Sequence, residues 1–246
     1  MASLFRRVLE VVYVPHCAAC DVRVDGGQPL CVPCTGSLVE LGPACPRCAE
    51  PLAAPPDVEC VRCRVLGEAW PLEAAAAPWR YGGALGRALR RMKFARRPDL
   101  ARELAPLVAP FLGAVARAAD VDVIVPVPLH WRRLALRGFN PAQAIVEACA
   151  GGDGAGPGAT VDARSLKRVR ATAAQTGLSG SDRVRNVKRA FEVPVRRVRN
   201  VAGKRVMIVD DVITTGATMA SAARALIGAG AAAVIAFAVA RAGDGD

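Results

Sequence analysis

Aromatic side chains and acidic residues are both scarce in this chain. Aromatics make up 4% of its 246 residues, and 22 acidic residues face 33 lysines and arginines, which leaves a net charge of +11. So few aromatics disfavour a surface on which the bases of a single strand stack one after another. The excess of positive charge favours anionic partners, either pyrophosphate or the backbone of a nucleic acid. Composition therefore favours contacts with phosphate groups over contacts with bases.

The chain also lacks a hydrophobic run long enough to span a membrane. The apolar run at 225–240 has 16 residues, fewer than the roughly 20 that a transmembrane helix needs. Gly228 and Gly230 divide it into a predicted helix and a following strand. Near the start of the chain, Glu10 interrupts a short apolar stretch, so no secretory signal is evident. We therefore expect a cytoplasmic protein without a membrane span.

Cysteine, by contrast, is concentrated in the first quarter of the sequence. Eight of the nine cysteines form four Cys-x-x-Cys pairs: Cys17, Cys20, Cys31, Cys34, Cys45, Cys48, Cys60 and Cys63. Two such pairs, separated by ten or eleven residues, supply four thiolates to one tetrahedral ion in a zinc ribbon. Disulfides would need an oxidising compartment, which the missing signal argues against. The pattern therefore predicts two structural Zn²⁺ ions.

The spacing leaves the grouping of the four pairs open. Our preferred prediction groups neighbours in sequence, with the first four cysteines around one ion and the last four around the other, and an interleaved arrangement fits equally well. The ninth cysteine, Cys149, lies among alanines and is interpreted as a small buried hydrophobe. Because large apolar residues are few between 15 and 64, we expect this segment to fold only with its metal.

Composition also indicates where the cysteine-rich part ends. The segment 68–78 is rich in alanine and proline and contains Trp70. We predict a double zinc ribbon in residues 1–67. Residues 68–246 are then predicted to form an α/β domain with a mainly parallel sheet.

Several elements of this second part are predicted from local patterns. Helices are expected near 85–94 and 100–118, and two prolines should kink or break the second one. The first buried strand is predicted at 121–127, where prolines force a turn into a loop with three arginines. A helix should begin at Pro141, and a glycine-rich surface loop is predicted at 151–158.

The most informative segment is a short buried strand that begins at Val206, ends in the two carboxylates Asp210 and Asp211 and opens into a turn of threonines and glycine. Asp210 and Asp211 are placed to accept hydrogen bonds from ribose hydroxyls or to engage a divalent cation. A helix predicted at 219–227 follows. The turn at 214–218 therefore lies at a helix N-terminus, where backbone N–H groups and hydroxyls can bind a phosphate. Two aspartates often end a strand, and threonine and glycine often cap a helix, so neither feature alone indicates a function. The two features in direct succession are much more specific.

This order of an apolar strand, two acidic residues, three spacer residues and Thr-Gly-x-Thr resembles the 5-phosphoribosyl-1-pyrophosphate (PRPP) motif of type I phosphoribosyltransferases. The resemblance implies the type I phosphoribosyltransferase fold, PRPP as a ligand and Mg²⁺ bound with it. It implies catalytic roles for Asp210 and Asp211. The residues that it implies for PRPP binding are Thr214, Thr215, Gly216, Ala217 and Thr218.

A narrower resemblance covers nearly the whole chain. The cysteine ribbon, Val-Pro-Val-Pro-Leu at 125–129, Arg-Gly-Phe-Asn at 137–140 and Leu-Lys-Arg at 166–168 occur together in an order similar to that of the ComF family. This resemblance implies a pyrophosphate loop at 126–129 and a flexible loop at 164–180 that closes over the ligand. The PRPP-binding residues that it adds are Val127, Pro128, Arg132, Arg133 and Arg137.

ComF-like proteins are associated with natural competence, the uptake and handling of transforming DNA. The resemblance implies a PRPP-binding protein, and no residue pattern identifies an acceptor for a transferase reaction. The alternative is a non-catalytic module that senses PRPP or a nucleotide. Such a module would use the ribbon and the arginine clusters to bind single-stranded DNA or proteins of the DNA-uptake machinery. In a third interpretation, the ribbon only supports the catalytic domain.

Overall fold

The computed structural model describes residues 15–24, 27–53, 55, 58–150, 159–170 and 190–243. The predicted glycine-rich loop at 151–158 lies outside these ranges, as does the part of the predicted flexible loop from residue 171 onward.

Two small cysteine-rich units open the described chain. An isolated antiparallel bridge joins His16 to Arg23 in the first unit, and another joins Ala44 to Pro51 in the second. Each unit has one short helix, and a 3₁₀ turn follows the second. These elements are α1 (Val32–Gly36), α2 (Val61–Leu66) and the turn Gly67–Ala69. In both units the second Cys-x-x-Cys pair spans the first turn of the helix, which brings its two thiols to one side.

A parallel sheet forms the centre of the remaining chain. The strands are β1 (Ala74–Ala76), β2 (Trp79–Arg80), β3 (Val123–Pro126), β4 (Thr160–Val161), β5 (Lys167–Arg168), β6 (Phe191–Glu192), β7 (Arg205–Ile213) and β8 (Ala233–Arg241). Six of them form one sheet in the order β1-β8-β7-β3-β4, in which every pair is parallel and β2 pairs with β8 beyond β1. Strands β5 and β6 form a separate antiparallel pair. The predicted mainly parallel sheet is confirmed.

Helices cover both faces of this sheet. They are α3 (Gly83–Phe94), α4 (Asp99–Ala118), α5 (Trp131–Arg137), α6 (Pro141–Ala150), α7 (Val198–Val201) and α8 (Ala217–Gly228), with a 3₁₀ turn at Val195–Arg197. On β7, Met207 and Val209 are buried with α3, α4 and α6, whereas Val206 and Ile208 are buried with α8. Side chains alternate between the faces of a strand, so the apolar run of β7 is covered on both sides.

Each cysteine-rich unit is part of one of these two buried clusters. Leu30 and Cys34 of the first unit belong to the cluster with α3 and α4, and Leu41 and Cys63 of the second unit belong to the cluster with α8. The packing is therefore continuous between the cysteine-rich units and the sheet. The boundary between residues 67 and 68 stays a prediction.

Helix α4 is not broken at its prolines. Pro106 and Pro110 lie four residues apart on its exposed side. The carbonyls that lose an N–H partner, at Arg102 and Pro106, lie on that same side, where water can reach them. Leu104 and Val108 on the opposite side are buried against the sheet. This packing holds the helix together despite the two missing hydrogen bonds.

Two other predictions are confirmed. Helix α6 begins at Pro141, and the Asn140 side chain accepts a hydrogen bond from the Ala142 N–H at 3.2 Å. The apolar run at 225–240 divides into the end of α8 and strand β8. Within the described ranges, no helix combines the length and the apolar character that crossing a bilayer requires.

Candidate functional site

A tight corner joins the end of β7 to the start of α8. Gly216 has φ 75°, in the left-handed region, and directly precedes the first residue of the 12-residue helix α8. Thr215 Oγ1 accepts a hydrogen bond from the Ala217 N–H at 3.4 Å. Residues 214–218, here called the threonine loop, thus lie at a helix N-terminus, where the helix dipole is positive.

The acidic pair, Asp210 and Asp211, lies on β7 just before this loop. Asp211 is buried and forms an ion pair with Lys93 of α3. Asp210 Oδ1 accepts a hydrogen bond from the Asp211 N–H at 2.9 Å. Burial and the adjacent carboxylate of Asp211 raise the pKa of Asp210 well above its usual range, and Lys93 offsets this effect only in part. The pair therefore has more negative charge than its lysine compensates.

This imbalance predicts that Asp210→Asn stabilises the ligand-free protein at neutral pH. The pKa of Asp210 is higher in the folded than in the unfolded chain, so its ionisation opposes folding. The penalty is absent below the unfolded pKa of about 4, grows as the pH rises from there to the folded pKa, and is constant at higher pH. Urea unfolding should therefore show an advantage of the variant over the wild type that is absent near pH 3 and is present at pH 7. Glu192→Gln, at an exposed carboxylate, is the control, and an advantage of Asp210→Asn that is equal at all pH values would contradict the prediction.

Two arginines interact with the acidic pair, and a third lies near them. Arg137, the last residue of α5, lies over the Phe94 ring, 5.6 Å from its centroid. Burial lowers the pKa of Arg137, and the carboxylates of the acidic pair counteract this. Burial and the nearby Arg133 lower the pKa of Arg168 on β5, and Asp210 counteracts it. These mutual effects place the guanidinium groups of Arg137 and Arg168 within electrostatic reach of the acidic pair, and that of Arg133 near both of them.

The predicted pyrophosphate loop lies next to the same strand. The Val127 N–H donates a hydrogen bond to the Val209 carbonyl of β7 at 2.8 Å, and Asn140 Nδ2 donates to the Val127 carbonyl at 3.0 Å. Strands β3 and β7 are neighbours in the sheet. Val127 and Pro128 therefore lie beside the acidic pair at the carboxyl edge of the sheet, the edge at which α/β proteins bind ligands.

The three predicted arginines lie on helix α5 rather than in a loop, which corrects the prediction. The helix ends at Gly138, which has φ 83°. Arg133 and Arg137 are four residues apart and share one helix face, whereas Arg132 is held over the Trp131 ring, 5.3 Å from its centroid. No residue of α5 is buried. A helix without a buried face has no hydrophobic period, so the sequence gives little sign of it.

Sequence reasoning did not assign Lys93 and Arg168 to the site. Lys93 belongs to a run of basic residues on the amphipathic helix α3, where nothing local distinguishes it from its neighbours. Arg168 lies within the predicted flexible loop at 164–180, but the resemblance did not single it out as a ligand-binding residue. Only the packing of α3 and β5 against the end of β7 brings these side chains to the acidic pair.

The eight cysteines form two clusters. The first zinc centre consists of Cys17, Cys20, Cys31 and Cys34, and the second zinc centre of Cys45, Cys48, Cys60 and Cys63. Within each, the Sγ atoms lie within 4.8 Å of one another, with 3.7 Å between Cys20 and Cys31 and 3.5 Å between Cys48 and Cys60. Four sulfurs bound to one Zn²⁺ at about 2.3 Å would lie about 3.8 Å apart. All nine cysteines of the chain are free of disulfides. Both clusters fit zinc, the grouping of sequence neighbours is confirmed, and the interleaved alternative is wrong.

Two protein families match the chain. The double zinc ribbon domain matches residues 8–64, and the phosphoribosyl transferase domain matches residues 158–245. The fold and the two metal centres thus define a protein that joins a double zinc ribbon to an α/β domain of the phosphoribosyltransferase type.

Several bacterial proteins are similar to this chain over much of its length. DNA utilization protein YhgH of Salmonella typhimurium is 35% identical over 83% of this chain and 87% of its own, and its namesake in Escherichia coli K12 is 35% identical over 77% and 80%. Competence protein F of Haemophilus influenzae is 33% identical over 53% of this chain and 56% of its own. This chain belongs to the ComF family, to which these proteins are related.

Proposed function

We propose that this protein binds PRPP together with Mg²⁺ at the carboxyl edge of its sheet and serves the utilization of DNA in the cell. The observation that carries the proposal is the acidic pair, incompletely compensated and directly followed by a helix N-terminus. The helix N-terminus suits a phosphate, and the acidic pair suits vicinal hydroxyls or a divalent cation. A ribose 5-phosphate presents both kinds of group a few ångströms apart.

The surrounding residues suit the remainder of PRPP. The 5-phosphate would be bound by the threonine loop and the ribose hydroxyls by the acidic pair. The pyrophosphate would then extend towards Val127 and Pro128, within reach of Arg133, Arg137 and Arg168. Arginine matches phosphate oxygens with paired N–H groups, which makes it well suited to this role.

Magnesium fits the same place. The donors available are carboxylate oxygens, which Mg²⁺ prefers, and the raised pKa of Asp210 marks a position where an added cation lowers the energy of the ionised form. Bound with the ligand, Mg²⁺ would supply positive charge to the pyrophosphate. The carboxylates Asp210 and Asp211 are the residues that would hold it.

If turnover occurs, a nitrogen nucleophile forms a bond to C1 of the ribose while the bond from C1 to the pyrophosphate oxygen breaks. The electron pair of that bond leaves with pyrophosphate, and the new amine loses a proton. Arg137 and Arg168 would stabilise the leaving group as its charge grows, an effect worth about 3 kcal/mol per well-placed donor. The acceptor that provides the nitrogen is left open in this proposal.

The alternative, a non-catalytic protein that grips single-stranded DNA, draws on the names of the relatives and on the basic residues. On α3, however, these residues have partners within the protein. Arg87 donates to Cys34 Sγ at 3.8 Å, Arg91 donates to the Cys17 carbonyl at 3.1 Å, and Lys93 is paired with the acidic pair. Their internal contacts favour PRPP binding over DNA binding by this cluster.

Titration calorimetry with PRPP, with and without Mg²⁺, tests the proposal on the zinc-loaded chain. We expect binding that requires Mg²⁺, and release of pyrophosphate when a suitable purine, pyrimidine or ammonia is added. Absence of PRPP binding, together with salt-sensitive binding of single-stranded DNA, would overturn the proposal in favour of the alternative. Binding of PRPP without pyrophosphate release from any acceptor would support a sensor rather than an enzyme.

A further inference from the structure

The second zinc centre lies directly against the threonine loop. Arg62 lies between Cys60 and Cys63 on α2, and its Nη1 donates a hydrogen bond to the Thr215 carbonyl at 2.8 Å. The same guanidinium lies over the Trp70 ring, 5.0 Å from its centroid. One arginine thus connects a metal-binding helix to the loop that opens α8.

Trp70 packs against Gly216 of the threonine loop, next to Arg62. A Cβ atom on Gly216 would come within 3.3 Å of the Trp70 ring and 4.0 Å of Arg62 Nη2, so glycine permits this close approach. The indole Nε1 donates to the Arg47 carbonyl at 2.9 Å, and Arg47 Nη2 donates back to the Trp70 carbonyl at 3.0 Å. Arg47 lies between the first two ligands of the second zinc centre. The tryptophan is therefore fixed by the same ribbon that positions the arginine.

Arg62 also faces the ligands of this centre. Its charge is attracted by Cys48, Cys60 and Cys63, and four thiolates around one Zn²⁺ have a net charge of about −2. The guanidinium is hydrogen-bonded to Cys48, and its Nε and Nη2 atoms are buried. The guanidinium is thus held by the negative centre on one side and by a single hydrogen bond to the threonine loop on the other.

We infer that the second zinc centre sets the conformation of the threonine loop through Arg62 and Trp70, and that Arg62 is a positioning residue for the phosphate site. A trans peptide is planar, so its C=O and N–H point in opposite directions. The hydrogen bond from Arg62 fixes the Thr215 carbonyl towards the ribbon and thereby turns the Gly216 N–H away from it. That N–H is one of the donors that a helix N-terminus offers to an anion.

The two zinc centres differ in the part of the structure that they contact. The first centre is packed on α3, the helix of Lys93, through Arg87 and Arg91. The second centre contacts the threonine loop itself. As far as it concerns the phosphate, the inference rests on the proposed function. The orientation of the loop does not depend on any ligand.

Arg62→Ala tests the inference, with Arg64→Ala as the matched control on the same helix, because Arg64 is exposed. In zinc-loaded protein, Arg62→Ala should accelerate amide exchange at residues 214–218 and lower the affinity for PRPP with Mg²⁺ about tenfold, the loss of one charged hydrogen bond. Arg64→Ala should change neither quantity. Metal analysis should find two zinc ions in both variants. If Arg62→Ala loses zinc, Arg62→Met, which keeps most of the packing of the side chain, replaces it.

Exchange at 214–218 that equals the wild type in a variant with both zinc ions would overturn the inference, whether or not PRPP binds. A wild-type chain that fails to bind PRPP would overturn the proposed function instead, and the exchange experiment would still decide the role of Arg62. Faster exchange with unchanged PRPP affinity would show that the loop is held by the ribbon but is not the phosphate site, which also contradicts the inference.

Discussion

Asp211→Asn is expected to lower the affinity for PRPP with Mg²⁺ about 100-fold, which corresponds to roughly 3 kcal/mol. Asp211 is 7% exposed and its carboxylate is paired with Lys93, so water screens its charge only weakly. Asparagine keeps the shape of the side chain and removes the charge that would engage the cation and the ribose hydroxyls. Titration calorimetry measures the change directly.

The variant also leaves Lys93 without its ion-pair partner, which should cost about 2 kcal/mol of folding stability. A double variant, Lys93→Met with Asp211→Asn, removes both charges. We expect it to regain most of the stability in urea unfolding and to remain as weak in PRPP binding as the single variant. Recovery of binding together with stability would mean that Asp211 acts on folding alone.

Asp122→Asn provides a control at the opposite edge of the sheet. Asp122 Oδ2 accepts a hydrogen bond from the Arg205 N–H at 2.8 Å, and its other oxygen lies 3.8 Å from Lys204 Nζ. Like Asp211, this carboxylate is paired with a lysine, but it lies at the opposite edge of the sheet from the threonine loop. Its substitution should change stability modestly and leave PRPP affinity intact, and an equal loss of affinity in both variants would contradict the site assignment.

Removal of both zinc ions should abolish cooperative folding of the whole chain rather than of the ribbons alone. A structural zinc site contributes on the order of 10 kcal/mol, as much as the entire stability of a typical domain. The cysteine-rich units share their buried clusters with the sheet, so their unfolding would expose the core of both parts. Thermal unfolding with and without a chelator, followed by addition of Zn²⁺, measures this loss and its reversal.

Two cysteine substitutions separate metal binding from simple burial. Cys63 is a fully buried ligand of the second zinc centre, and Cys149 is an almost equally buried residue of α6 outside both centres. Cys63→Ser should lose one zinc ion and most of the folding transition. Cys149→Ser should keep two zinc ions and lose about 1–3 kcal/mol, the cost of burying a hydroxyl. A Cys63→Ser chain with two zinc ions and an unchanged transition would contradict a structural role for the metal.

The features that the sequence predicted well are local. The corner between β7 and α8 depends on consecutive residues, since a β-branched run, two aspartates and a left-handed glycine each have a strong conformational preference. The zinc centres follow from the spacing of cysteines that lie within eighteen residues of their furthest partners. Short-range patterns of this kind need no knowledge of tertiary packing.

The features that the sequence did not predict depend on contacts between distant segments. Strand β1 is three alanines, which have little intrinsic preference for a strand, and it forms because β8 offers its edge. Lys93 and Arg62 become part of the site only when α3 and α2 pack against the end of β7. Helix α5 was missed for a different reason, since its apolar residues lie in solvent and give no period.

Strand β8 is buried along all nine of its residues, and its outer edge is covered by the short strands β1 and β2. Its sequence, Ala-Val-Ile-Ala-Phe-Ala-Val-Ala-Arg, is apolar, almost uncharged and free of proline, the composition that promotes aggregation when a strand edge is open. Residues 74–80 therefore act as a guard against self-association. A shortened protein that begins after them would expose the edge of β8 to other copies of the chain and should precipitate during expression, even though the acidic pair and the threonine loop were kept.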